Sequence, residues 1–372
     1  MINKERMLQE FFELVQINSN SLNEREIGDL MKSRLSKLGA EVVEDEAGSA
    51  IGGNCGNVIA TFRGTKTSAP MIMLTAHLDC VAPCHDVKPR IRNGVITSDG
   101  TTVLGGDDKA GVAAILEALR VMREQGFEHG GLQIVLTVCE EGGLNGSRNI
   151  DGELLKAELG YALDSSGRPG EIVVSAPGQN KISVKIHGKT AHAGIEPEKG
   201  LNAILAAARI LCRVPQGRID EETTCNVGII AGGRATNIIP DLVEIECETR
   251  SRSKDKLDKL TEEIRQAFFK GAAECGVSIE VEVFRAYDAF VISPESGNVR
   301  LAKEAADRAE LVATLGETGG GSDANNFNKL GIECTILGIG MQKVHTCEEF
   351  ILEEDLYKTA EWLLEIIKGA AR

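Results

Sequence analysis

The chain has 372 residues, and its 41 Lys plus Arg against 56 Asp plus Glu leave a formal charge of −15 at neutral pH. A duplex binder needs a basic stripe to release counterions from phosphates, and a peripheral membrane protein needs one to meet anionic lipid, so this balance excludes both. A single core stops enlarging at about 250–300 residues, so the length favours two domains; with 42% hydrophobic and only 4% aromatic residues, their cores must be built from Val, Ile, Leu and Ala.

The N-terminus opens as an amphipathic run through Met7, Leu8, Phe11, Phe12 and Val15, broken by Glu10 and Glu13. Those charges do not fit a secretory h-region, and no stretch of about 18 apolar residues follows anywhere to span a membrane. Ten scattered cysteines without an export signal read as reduced, mostly buried thiols of a cytoplasmic protein. The periodicity predicts helices to about residue 17 and over 24–38, where Gly39 supplies a stop. Short apolar runs at 57–62, 71–76, 132–138, 160–163 and 333–337 then read as strands buried on both faces, alternating with or followed by helices at 109–125, 296–308 and 354–371. This alternation predicts an α/β fold, a mixed, mostly parallel sheet with helices on both faces.

The middle of the chain carries a different pattern. Residues 181–187, 223–230 and 241–249 show half-buried alternation of period two, with helices at 201–212 and 254–273. The expectation is an inserted α+β domain at 178–288, dividing the main domain into 1–177 and 289–372.

Three predicted strands run into side chains that can hold a metal: 71–76 into His77-Leu78-Asp79, 132–138 into Glu140-Glu141, and 160–163 into Asp164. Ligands of open α/β sheets gather at the carboxyl ends of strands. A fourth group, Gly105-Gly106-Asp107-Asp108-Lys109-Ala110-Gly111, leads into a helix, and a fifth, Val344-His345-Thr346, follows a strand. Imidazoles and carboxylates together suit borderline divalent ions, zinc first with cobalt or manganese as alternatives, and one carboxylate can bridge two ions about 3.5–4 Å apart. Any one of these acids alone reads as a solvated loop residue; five acid or imidazole groups together do not. Spacing leaves open whether Asp107 or Asp108 bridges.

These motifs, with Ser98-Asp99-Gly100-Thr101-Thr102, Gly188-Lys189-Thr190-Ala191-His192-Ala193-Gly194 and Gly319-Gly320-Gly321-Ser322-Asp323-Ala324-Asn325, give the chain a resemblance to the peptidase T branch of the di-zinc exopeptidases. That superfamily includes aminoacylase, glutamate carboxypeptidase and succinyl-diaminopimelate desuccinylase. The resemblance runs over nearly the whole chain and in the family's order. It implies that Asp107 bridges two ions, that His77 and Asp164 ligate one and Glu141 and His345 the other, and that Asp79 orients His77. It also implies that Glu140 is the general base acting on a metal-bridging water, and that His192 stabilises the oxyanion from its own subunit or a partner's. Asn237 and Arg250 are candidates for substrate carbonyl or carboxylate groups, and the backbone N–H groups around Gly320, Gly321 and Ser322 for a substrate carboxylate.

Two features depart from the branch. Cys80 and Cys84, followed by His85, stand where Thr and Gly are usual, and Gly142 replaces a β-branched residue, which predicts a looser loop around Glu140. The expected activity is release of the N-terminal residue from short peptides by a metallopeptidase, tripeptides by resemblance. Hydrolysis of N-acyl amino acids on the same scaffold is the alternative. The resemblance also implies a homodimer through the inserted domain.

Overall fold

The computed structural model describes all residues, Met1–Arg372. They form two compact units, one of Met1–Ser175, Val291–Thr318 and Ser322–Arg372, the other of Ala176–Phe290 with Gly319–Gly321. The three-residue segment 319–321 thus belongs with the inserted unit rather than with the chain around it. The reason is close packing: a Cβ added at Gly321 would fall 2.3 Å from the Tyr287 ring.

The larger unit is built on a nine-stranded sheet. Its centre is four parallel strands in the order Leu132–Thr137, Ile72–His77, Leu159–Ser165 and Glu333–Gly338. Val58–Phe62 and Glu41–Glu44 extend one side antiparallel, and Glu171–Ala176 lies antiparallel beside Glu333–Gly338 on the other. Leu132–Thr137 and Ile72–His77 are buried at every position, which is why their sequences are continuously apolar instead of alternating. The register places the chemistry. His77 pairs with Thr137 and Thr75 with Ala162, so His77 and Asp164 come to the same end of the sheet, with Glu140 and Glu141 just beyond Thr137.

Helix Gly106–Gln125 packs between Lys4–Val15 and Glu353–Ala370 and is buried almost all round. Its first residues are irregular: Asp107 has φ −81° and ψ 102°, so regular helix starts at Lys109, as the periodicity predicts. Helix Glu353–Ala370 is fastened to Gly297–Arg308 by the fully buried Trp362, whose Nε1 donates to Ala302 O at 2.9 Å. Truncating Trp362 to Ala is expected to cost about 3–5 kcal/mol. No helix is long and apolar enough to cross a membrane.

The inserted unit is a five-stranded antiparallel sheet in the order Gly217–Arg218, Thr223–Gly232, Leu242–Ser251, Gly178–His187 and Ser278–Tyr287. The sequence reading omitted the last strand, although Ile279, Val281 and Val283 alternate with Ser278, Glu280 and Glu282 as in the others. Helices Ala203–Leu211 and Lys254–Cys275 cover one face, where Ile182, Val184, Ile186, Val243, Ile245, Ile210, Ile264 and Phe268 form the core. Their starts are capped by the side chains of Asn202 and Ser253, which accept the Leu205 and Lys256 N–H groups. The other face is left to polar side chains, which is what period-two alternation encodes.

Candidate metal centre and active site

Asp107 stands between two imidazoles. His77 Nε2 lies 3.1 Å from its Oδ1, and His345 Nε2 lies 3.4 Å from its Oδ2 and 3.0 Å from Glu141 Oε1. One ligand atom each from His77, Asp107 and Glu141 fall within 4.8 Å of one another. Asp108 faces elsewhere: its carboxylate accepts the N–H groups of His77 at 3.3 Å and Gly111 at 3.1 Å, so it braces the loop. Only Asp107 therefore presents its two oxygens to two imidazoles, the alternative that spacing could not decide.

The donor set fits a divalent cation. It holds the carboxylates of Asp107, Glu141 and Asp164 with two imidazoles and no Lys or Arg. Glu141 Oε1 is buried with His345 Nε2 3.0 Å away and no other partner, which places a carboxylate oxygen and an imidazole nitrogen side by side. The charges respond as an uncompensated cluster should. Burial first, then the charge of Asp107, pushes Asp164 up to about 8, and burial followed by Asp164 pushes Glu140 well above the carboxylate range. Asp107 is held low against its burial by the two histidines, and the neighbouring carboxylates of Asp107 and then Glu141 raise His345 to about 10. Protons on the imidazoles thus do in part what a cation would do fully.

Asp79 is completely buried, and its role is wider than the sequence suggested. The His77 Nδ1 contact at 3.0 Å is to the Asp79 carbonyl, with the carboxylate at 3.5 Å. The carboxylate itself accepts the N–H of Glu140 at 2.9 Å, the N–H of Glu141 at 3.2 Å and the Ser21 hydroxyl at 2.6 Å. One side chain therefore fixes the start of the loop that carries Glu140 and Glu141. That loop is not loosened by Gly142: its carbonyl neighbour Glu140 O accepts from Gly143 and Leu144, and a Cβ at 142 would lie 2.4 Å from Cys139 Sγ. The thiol fills the space that a β-branched residue would take.

Three buried acids were missed. Glu349 accepts the N–H groups of Gly105 at 2.8 Å and Asp107 at 3.0 Å; Glu24 accepts those of Leu22 at 2.9 Å and Cys139 at 3.0 Å; Asp323 accepts the hydroxyls of Thr137 and Ser147. Burial pushes both Glu24 and Glu349 up to about 7, with Asp79 and Asp107 adding to the respective shifts. In sequence each is one acid among many, and Glu349 follows Glu348, which is exposed, with no periodic signal to separate them.

The remaining candidates are less concentrated. Ser322 is buried and approaches Asp164 without the alignment of a full hydrogen bond. The helix after it, Ala324–Lys329, has only six residues, and the N–H groups of Asn325, Asn326 and Phe327 already donate to Ser322 and Asp323 carbonyls. The N–H groups at that helix start are therefore taken up within the turn itself. In the inserted unit His192 and Asn237 are both exposed and adjacent: Ala193 N donates to Asn237 O at 3.0 Å, and Gly194 N donates to His192 Nδ1 at 3.2 Å. Arg250 is engaged by Glu248 through Nε at 3.0 Å and its terminal nitrogen at 3.1 Å. Cys80, Cys84 and His85 do not assemble a metal-binding group.

Residues 73–369 match the sequence pattern of peptidase family M20/M25/M40. The chain belongs to this family. Its similarity extends over the full length to the uncharacterized protein YqjE of Bacillus subtilis strain 168, 44% identical and covering all of both chains. Peptidase T of Citrobacter koseri is 28% identical over 289 residues, 75% of this chain and 68% of that one. Among solved structures, an aminopeptidase PepT of Bacillus cereus is 44% identical with a TM-score of 0.91, and a tripeptidase of Staphylococcus aureus is 43% identical with a TM-score of 0.95, each covering both chains completely. As a member of the M20/M25/M40 peptidases the protein is a metallopeptidase, and the buried acid and imidazole cluster is its candidate metal site.

Proposed function

We propose that this metallopeptidase releases the N-terminal residue from short peptides, tripeptides foremost, with two divalent ions, zinc first. The observation that carries the reading is the Asp107 carboxylate, with one oxygen toward His77 and the other toward His345. Asp107 would bridge, His77 and Asp164 would complete one position, and Glu141 and His345 the other. Divalent ions held there lower the pKa of water and polarise a peptide carbonyl. Glu140 accepts the proton of the attacking water and returns it to the departing amine. Asp79 is a positioning residue, holding the Glu140 and Glu141 amides. His192 donates to the developing oxyanion, and Asn237, Arg250, Gly320, Gly321 and Ser322 contact substrate. Full-length similarity to a PepT aminopeptidase and a tripeptidase supports the substrate class. Ten free cysteines support a reducing, cytoplasmic setting.

A homodimer through the inserted unit is part of this reading. Strand Gly217–Arg218 pairs only with residues 224–225, so the outer edge of 226–232 has no strand beside it, and it carries Ile229 and Ile230, 60% and 55% exposed. Light scattering is expected to give a dimer for the wild type and a monomer for Ile229→Lys with Ile230→Lys.

The activity is tested with dipeptides, tripeptides and N-acetyl amino acids, each with and without chelator. Metal-dependent release of the N-terminal residue, fastest on tripeptides, is expected. Faster turnover of N-acetyl amino acids would replace the reading by an acyl amino acid hydrolase.

A further inference from the structure

The larger unit holds a second group of reactive side chains that this mechanism does not use. Cys80 and Cys84 are 2% and 0% exposed and pack together with Val103. The Cys84 thiol donates to the Cys80 backbone carbonyl, with Sγ 3.7 Å from the oxygen. Neither is paired in a disulfide.

The position of the pair is informative. Cys80 directly follows Asp79, and its N–H donates to Ser19 O at 2.9 Å. Its sulphur abuts Gly105, where an added Cβ would come within 3.2 Å of it. Gly105, with φ +74°, is held by the same Glu349 carboxylate that holds the Asp107 N–H. The pair therefore lies in the packing between the segment carrying His77 and Asp79 and the segment carrying Asp107. On its outer side Ala82, Pro83, His85 and Asp86 are exposed, so Cys84 is one residue from solvent in both directions along the chain. Local opening of this loop is enough to admit a small oxidant, whereas a bulky one would need a wider opening.

We propose that Cys80 and Cys84 form a redox-active pair, which a hydroperoxide converts to an intrachain disulfide that displaces the packing behind Asp79 and Gly105 and so lowers turnover. The Cys84 sulphur attacks the peroxide O–O bond, becomes a sulfenic acid and releases water. The Cys80 sulphur then attacks the sulfenic sulphur, forming the S–S bond and releasing a second water. Two thiols and one hydrogen peroxide give one disulfide and two waters; the sulphurs lose two electrons in all and the peroxide gains them. The neighbouring Cys80 side chain holds the Cys84 thiol below the usual thiol range against the opposing effect of burial, which suits it to the attacking role. A dithiol reductant reverses the step by exchange.

The formation of the disulfide is independent of the activity proposed above, while its effect on turnover rests on that reading. The test treats the metal-loaded, full-length protein with hydrogen peroxide, then alkylates free thiols under denaturing conditions and maps peptides by mass. Cys80 and Cys84 fall in one tryptic peptide, Thr67–Arg90, because the Lys88–Pro89 bond resists trypsin. That peptide is expected to lose two hydrogens and both alkylation sites, and dithiothreitol is expected to restore them. Peptide hydrolysis should fall in proportion to the disulfide formed and return with reduction, and Cys84→Ser should retain its activity through the same treatment. A peptide that stays fully alkylated in the wild type overturns the proposal without any variant, as does oxidation that dithiothreitol cannot reverse. Equal loss of activity in the wild type and in both Cys84→Ser and Cys80→Ala overturns the regulatory part. If the reduced protein hydrolyses no peptide at all, the activity reading fails, and the mass map still decides whether the pair forms.

Discussion

The two units place polar chemistry in opposite environments. In the larger one, Asp79, Asp107, Glu140, Glu349, Glu24 and Asp323 are all buried at the carboxyl edge of a parallel sheet or behind it. In the inserted one, His192 and Asn237 are exposed on turns, and Arg250 is matched by Glu248 along its own strand. Buried acids in such number are costly unless a cation or hydrogen-bond donors balance them, whereas exposed groups cost almost nothing to keep. The contrast separates buried acids, whose charges need a balancing partner, from exposed groups that can be changed without disturbing them.

Asp107→Ala strikes the larger unit hardest. Loss of the carboxylate between His77 and His345 is expected to abolish metal binding, seen by metal analysis, and to lower kcat/KM by about 5 kcal/mol, or about 10⁴-fold. Glu140→Gln should lower kcat about 10³-fold with metal content unchanged, since it removes proton transfer and no ligand. If Glu140→Gln loses the metal as well, it is a ligand and the assignment of roles fails. For the exposed unit, His192→Ala is expected to lower kcat about 10²-fold while metal content and Tm stay at wild-type values. An unchanged kcat would make His192 a bystander and confine the chemistry to the larger unit.

Chelation sharpens the contrast through stability. Metal bound at about 100 times its Kd adds about 2.7 kcal/mol to the folded state, so Tm should fall on metal removal in the wild type but not in Asp107→Ala. The smallest effect concerns pH. Burial, then the charge of Asp79, raises Glu24 from 4.5 to about 7. An acid whose folded pKa is raised holds its proton more tightly when folded, so its contribution is fully present below pH 4.5 and is lost as pH rises through about 7. Glu24→Gln keeps an acceptor for Leu22 and Cys139 without the charge. Urea titrations at pH 5 and pH 8 should show a flatter dependence for the variant, with a relative gain of about 2 kcal/mol at pH 8.

Much of the site was legible because strand ends announce themselves: an apolar run buried on both faces must stop where polar residues begin, and His77, Glu140 and Asp164 stand at such stops. The supporting acids were not legible, because Glu24 and Glu349 act through backbone amides and Asp323 through the hydroxyls of Thr137 and Ser147, partners distant in sequence, 115 residues away for Glu24 and Cys139. Residues 319–321 illustrate the same limit in the fold, since their association with the inserted unit depends on packing against Tyr287 and not on any local pattern.

The alternation of strands and helices, the half-exposed character of the inserted sheet and the acid and imidazole groups at strand ends follow from local properties of the chain. Register and side-chain direction are not local. That Asp107 rather than Asp108 faces two imidazoles, that Asp79 holds the Glu140 loop, that a thiol fills the space beside Gly142, and that Cys80 and Cys84 meet between two ligand-bearing segments were decided only when the sheet aligned its strands. Alignment is a property of the whole core, because only there do burial and hydrogen bonding have to be satisfied together.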